Sequence, residues 1–149
     1  MNSKKLSFTA KRRMARESSL KILYSMDVSG NSAEFCFTYF FDLFWEGEPV
    51  QEVMDYTKQI VFGFEEKEDE INKKIQKYSE NWTLDRMVII DRNILRYAIF
   101  ELFYVNDVPP LVSINESIEI GKRYGTRETK RFINGILDKI VKTEFGEKE

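Results

Sequence analysis

The chain has 149 residues, 42% of them hydrophobic and 32% charged, with a single cysteine and no histidine, a composition that suits one domain with a core of ordinary size. Cys36 alone cannot form an internal disulfide, and the lack of histidine excludes a Cys/His zinc cluster, a Ser-His-Asp triad and imidazole acid-base catalysis; carboxylate, lysine or tyrosine chemistry and an oxygen-ligated metal stay open. The net charge of −2 conceals asymmetry: residues 1–30 hold seven basic and two acidic residues, 31–70 two basic and eleven acidic, and 121–131 five basic and one acidic, a polarity that suits a polyanion on one side.

Apolar positions recurring at three and four, with only three prolines, predict an all-α chain of about seven helices. The first spans roughly 10–28 and stops at Ser29-Gly30-Asn31, where the glycine can take a left-handed cap. An aromatic-rich second segment covers 33–45 and ends at Gly47. Pro49 is placed in the first turn of a third helix over 49–63, where its missing N–H costs nothing. A fourth, over 66–79, turns Ile71, Ile75 and Tyr78 inward, and the acidic run from Glu65 to Glu70 reads as its solvated start rather than a calcium loop. Thr83 is expected to cap a fifth stretch running through Asp91 to Val105. Pro109-Pro110 opens a sixth, ending near Tyr124-Gly125. Thr126 caps a seventh with Ile133, Ile136, Leu137 and Ile140 as its stripe. No linker is long enough to separate independent domains, so 1–149 is expected to be one domain with a folded core over about 10–141 and short tails. No apolar run is long enough for a membrane span and no secretory leader is evident, so a cytoplasmic protein is expected.

On a helical wheel Ala15, Ser19, Ile22, Leu23 and Met26 share one sector of the first helix. Arg12, Arg13, Arg16, Leu20 and Tyr24 share a neighbouring band of roughly 120°. Guanidinium groups contact phosphate bidentately and a tyrosine offers a ring to an unstacked base; a solvated arginine face is the competing reading. The second basic cluster, Lys122, Arg123, Arg127, Lys130 and Arg131, flanks the turn before the seventh helix and is followed by Phe132, either a stacking ring or plain packing. If the two clusters come together they form one basic surface with Tyr24, Tyr124 and Phe132. In the fifth helix Ile94, Leu95, Ala98, Leu102 and Val105 form a stripe opposite Asn93, Tyr97, Phe100 and Tyr104, with Arg96 at the edge. That helix is either buried all round or offers aromatic rings to a partner. Asp85-Arg86 and Asp91-Arg92 read as ion pairs that fix helix ends. Gly135, off the apolar stripe of the seventh helix, implies close approach of another helix or of a ligand.

Several runs resemble the NusB family of transcription antitermination factors. They are Arg12-Arg13-Met14-Ala15-Arg16-Glu17 with Leu23-Tyr24 and Asp27; Asn81-Trp82 through Asp91-Arg92-Asn93-Ile94-Leu95-Arg96 to Glu101-Leu102; Asp107-Val108-Pro109; Ile114-Asn115-Glu116 with Ile118-Glu119, Lys122 and Gly125; and Phe132-Ile133-Asn134-Gly135-Ile136-Leu137-Asp138. They lie in order across about residues 10–141. The resemblance implies a NusB-like fold of two small helical bundles, without enzymatic activity, cofactor or metal. It further implies binding of boxA-type RNA together with the ribosomal protein NusE, in a complex that makes RNA polymerase resistant to termination, notably on ribosomal RNA operons. Carried over by position, the opening helix, Tyr24 and Phe132 match the family's RNA surface. Met14 interrupts an arginine run that some members keep unbroken, so Lys11, Arg12, Arg13 and Arg16 carry the charge, joined by Lys122, Arg127, Lys130 and Arg131. Asp91, Arg96 and Glu101 fall in helices the family turns toward NusE, and Tyr97, Phe100 and Tyr104 join them as candidate partner contacts.

Residues 31–50 match the family loosely. Phe35, Phe37, Phe40, Phe41, Phe44 and Trp45 there make either a richer core or a self-association face, which leaves monomer and homodimer open. Two other readings compete: a helical adaptor that binds only protein, and a NusB-like RNA-binding module of the kind found in ribosomal RNA methyltransferases.

Overall fold

The computed structural model describes residues 5–146; Lys4 of the N-terminal basic count and the outermost parts of both tails lie outside the described residues. Within them are seven α-helices and no strand, and the chain divides at Glu66/Lys67 into two units.

In the first unit α1 (Phe8–Ser29) is closed at both ends by its own sequence. The Ser7 hydroxyl accepts from the Ala10 N–H (3.0 Å), and Gly30, at φ 78°, donates its N–H to the Met26 carbonyl (2.8 Å). The short α2 (Ala33–Tyr39) is capped twice: the Ser32 hydroxyl accepts from the Phe35 N–H, and the Glu65 carboxylate, reaching across from α3, accepts from the Ala33 N–H at 2.8 Å. It widens into a π-helical turn, Phe40–Phe44, in which the Trp45 N–H donates to the Phe40 carbonyl at 3.0 Å. The inner side of this segment forms a core in which Phe41 and Cys36 join Ile22, Ala33 and Val61, with Phe37, Phe40 and Trp45 packed against it. α3 (Gln51–Glu66) starts later than expected: Val50 supplies the first helical acceptor, so Pro49 stands before the helix and not inside it. α1 lies along α3, and the buried Thr57 hydroxyl donates to the Ala15 carbonyl.

The second unit begins with α4 (Glu68–Tyr78), whose Ile71, Ile75 and Tyr78 are buried and whose acidic first turn complements the helix dipole. Thr83 precedes only a 3₁₀ turn, Leu84–Arg86, and α5 (Ile89–Tyr104) starts separately after Met87-Val88. The connection is held by Gln76, which donates to the Trp82 carbonyl and accepts from the Leu84 N–H (2.7 Å). α6 (Pro110–Tyr124) has Pro110 at its first position, and α7 (Arg127–Ile140) opens with a capping box between Thr126 and Thr129. Ile133, Ile136, Leu137 and Ile140 are all buried, and a π turn, Val141–Phe145, follows.

Glycine at 125 is a steric requirement, since an added Cβ would stand 2.4 Å from the Thr129 hydroxyl oxygen and 2.6 Å from its Cβ. Gly135 is different. Nothing lies within 4 Å of where its Cβ would be, so the helix expected to approach it is absent among the described residues.

Candidate nucleic-acid interface

On α1 the basic side chains are not equivalent. Arg13 is exposed, whereas Lys11 is half-buried and ion-paired to Glu52 at 3.3 Å. The Arg12 guanidinium stacks on the Tyr56 ring of α3, 3.7 Å from its centroid, and lies 4.7 Å from that of Phe8. Stacking covers its faces and fixes the plane of the guanidinium. Arg16 corrects the wheel: it is 3% exposed, with the same Tyr56 ring 6.0 Å away, and Leu20 beside it is buried too. α1 packs on both α2 and α3, so its buried arc is wider than one apolar sector. Tyr24 is 38% exposed and presents its ring at the surface.

The second basic cluster lies wholly in the second unit. Arg127, Lys130 and Arg131 are exposed in the first turns of α7, and the Arg131 guanidinium lies 4.0 Å from the Glu128 carboxylate. Cations at a helix N-terminus oppose the macrodipole, so this placement costs the isolated helix stability and concentrates positive potential there. Lys122 and Arg123 sit at the end of α6, where the dipole favours them, and Lys122 is partly neutralised by Glu119 at 3.2 Å. Phe132 is half-buried and forms one wall of a cavity of about 480 Å³, together with Trp82, Arg86, Val88, Asp91 and Arg131. Trp82 and Val88 are 51% and 61% exposed and were not singled out as contacts. The signal available for them was two large apolar side chains flanking a turn too short to bury them.

Asp91 was expected to pair with Arg92. It is instead 6% exposed and accepts a hydrogen bond from the Thr129 hydroxyl at 2.7 Å, while Arg92 donates to the Leu84 carbonyl at 3.1 Å. Burial pushes the Asp91 carboxyl up from the ordinary aspartate range, and the Thr129 hydrogen bond offsets part of that rise.

The expected partner surface of α5 is corrected more fully. Tyr97 and Glu101 are 0% exposed, and Phe100, Arg96 and Asp91 are buried with them. The reason is that α5 packs against α4, α6 and α7 at once. Its polar groups are satisfied internally: Ser117 donates to the Tyr97 oxygen (2.9 Å), Ser113 to Glu101 (2.7 Å), and Arg96 to Asn93 and Asn72 (3.1 Å each). Of the proposed partner contacts only Tyr104 is partly accessible, and its hydroxyl is engaged with Glu70. That bond pushes the Tyr104 pKa up to about 12 and holds the Glu70 carboxyl below the usual range.

No helix among the described residues is long and apolar enough to cross a membrane. Comparison with known proteins agrees with the all-α architecture and the motif order. The chain is 43% identical over 142 residues to transcription antitermination protein NusB of Thermodesulfovibrio yellowstonii, covering 91% of this chain and 94% of that one. It is 43% identical over 134 residues to the protein of the same name from Anaeromyxobacter dehalogenans, covering 89% and 92%. Among solved structures, NusB of T. maritima superposes with a TM-score of 0.77 at 34% identity, over 88% of this chain and 90% of that one. A chain in a crystal structure of antitermination factors NusB and NusE in complex with double-stranded RNA superposes equally well, at a TM-score of 0.77 over 89% of this chain and 97% of that one, and its 24% identity makes this a likeness of fold. Since the sequence profile of the NusB family also matches residues 13–142, nearly the whole described fold is accounted for, and the chain belongs to the NusB family.

Proposed function

We propose that this chain is a non-enzymatic, cytoplasmic RNA-binding antitermination factor that acts as one functional domain. It binds boxA-type RNA together with NusE and helps make RNA polymerase resistant to termination, notably on ribosomal RNA operons. The observation that carries the reading is the start of α7, where exposed Arg127, Lys130 and Arg131 surround a helix N-terminus beside the Phe132 cavity. Phosphate neutralises an arrangement that is otherwise unfavourable, and a cavity walled by Phe132 and Trp82 accepts an unstacked base. In the first unit, Arg13, the stacked Arg12 and Tyr24 offer a second basic and aromatic surface on α1. Arg16, being buried, supports the helix instead, and Lys11 contributes with its charge partly balanced by Glu52.

Titration of a fluorescent boxA-type RNA with the full chain, with and without NusE and over a range of salt, tests this. Replacing Arg127, Lys130 and Arg131 together by Glu is expected to weaken binding strongly and to flatten the salt dependence of what remains while the helical spectrum persists. Phe132→Ala and Tyr24→Ala each weaken the complex by roughly 1 to 3 kcal/mol. RNA binding that is absent in the unaltered chain, alongside intact NusE binding, would instead make it an adaptor for protein alone.

A further inference from the structure

The outer side of α2 and its π turn is a surface the RNA reading does not use. Phe35 (51% exposed), Tyr39 (45%), Leu43 (64%) and Phe44 (65%) all stand in solvent. Phe35, Tyr39 and Leu43 follow one another at four-residue spacing, which aligns them along a helix. Phe44 would lie on the far side of a regular α-helix, but the π turn adds a residue to the winding and brings its ring beside Tyr39, five residues earlier. The centroids are 5.6 Å apart, and Phe35 and Tyr39 stack at 5.7 Å. Tyr39 is the ridge between two grooves. One, of about 550 Å³, is lined by Phe35, Tyr39 and Leu43 with Glu34 and Asp42; the other, of about 690 Å³, runs between Tyr39, Phe44, Trp45 and α1, with Glu17, Glu46 and Lys21 at its rim.

The charge around these rings identifies the occupant. Residues 31–50 contain four carboxylates and no lysine or arginine. Glu34, Asp42, Glu46 and Glu48 form no ion pair among the described residues. Nucleic acid and anionic membrane are repelled by such a face, and a second copy joined about a two-fold axis would set these carboxylates against themselves. A contiguous apolar row beside Glu34, Asp42, Glu46 and Glu48 instead complements a helix with apolar anchors and flanking arginine or lysine, whose aliphatic stems cover the rings and whose heads reach the carboxylates. We propose that the α2 face, built on Phe35, Tyr39, Leu43 and Phe44 with Glu34 and Asp42, is a docking surface for a cationic amphipathic helix of a partner protein.

The test is a calorimetric titration of the full chain with a synthetic amphipathic peptide of leucine and arginine at helical spacing. Two control peptides carry glutamate in place of arginine or serine in place of leucine. The expected result is binding of the first peptide only, weakened about tenfold or more by Phe35→Ala with Phe44→Ala, and comparably by Glu34→Gln with Asp42→Asn. The second pair alters no packed side chain, so it decides the matter should the aromatic pair fold poorly. Glu68→Gln with Asp69→Asn, acids of α4, should leave binding unchanged. Equal binding of the serine peptide, equal loss in the α4 pair, or binding indifferent to both α2 pairs would overturn the proposal. So would concentration-dependent dimerisation in sedimentation that the aromatic pair abolishes, which would assign the face to a second copy.

Discussion

α2 with its π turn and α5 are both rich in aromatic side chains, and they use them in opposite ways. In α5 the Tyr97 and Phe100 rings are buried with polar groups alongside them: the Tyr97 oxygen accepts from Ser117, Glu101 accepts from Ser113, and Arg96 is tied to Asn93 and Asn72. In α2 one side is sorted inward, where Phe37 and Phe41 meet at 4.9 Å and Phe37 meets Phe62 at 5.7 Å. The other side leaves four large apolar residues in water beside carboxylates that form no ion pair among the described residues. Aromatic content alone therefore says little about whether a helix is structural. What distinguishes the two is whether the polar residues interleaved with the rings find partners within the chain.

The largest effect that sharpens this contrast is expected at Tyr97. Tyr97→Ala removes a fully buried ring and leaves Ser117 without one of its acceptors, for a loss of about 3 to 5 kcal/mol in chemical denaturation. Tyr97→Phe keeps the ring and should cost only about 1 kcal/mol. Selective loss of binding to NusE in a Tyr97→Ala chain of unchanged stability would contradict the burial and restore α5 as a contact surface.

Next in size is the pair of glycines on either side of Arg127, Lys130 and Arg131. Gly125→Ala drives a methyl into Thr129 and disturbs the capping box that starts α7, costing about 1 to 3 kcal/mol in melting experiments. Gly135→Ala meets open space in mid-helix and should stabilise by up to about 1 kcal/mol. A smaller, pH-dependent effect is expected at Asp91. Its folded pKa lies above the ordinary aspartate value, chiefly through burial, so the folded state holds the proton more tightly than the unfolded state does. Below the unfolded pKa the group is protonated in both states and costs nothing. As pH rises through the unfolded and then the folded value, stability falls and then levels off. Asp91→Asn, which can still accept from Thr129, should flatten that part of the profile and leave the chain slightly more stable at neutral pH; an unchanged profile would remove the desolvation argument.

Much of this architecture was legible because it rests on local chemistry. The Gly30 cap, Pro110 at the start of α6, the Thr126 cap and the stripe of α7 each declare themselves within a few residues. Burial of α5 was not legible, since a wheel shows which residues share a face but not how many neighbouring helices surround it. Burial of Arg16 was not legible for the same reason: the wheel places it in the band expected to face RNA, and the ring beside it, Tyr56, lies forty residues away in sequence. The start of α3 lies two residues later than Pro49 suggests, because a proline just before a helix and one just inside it share the same local signature. The Trp82 and Phe132 cavity joins residues fifty apart, and neither carries a mark of the other.

The smallest expected effect is the most demanding for the contrast between α2 and α5. Phe35→Ala with Phe44→Ala removes two rings, as much aromatic surface as most core variants would, yet both are more than half exposed. They contact chiefly Tyr39, whose ring is itself exposed. Little water is excluded by these contacts, so stability should stay within about 0.5 kcal/mol of the unaltered chain, and solubility should rise as the exposed apolar row is interrupted. A loss of several kcal/mol would mean that the outer row is part of the core after all, and α2 would then differ from α5 only in degree. An unchanged melting curve would leave four apolar side chains in solvent with no role in folding, and the wider π turn that aligns Phe44 with Tyr39 would then have its reason in what the surface binds.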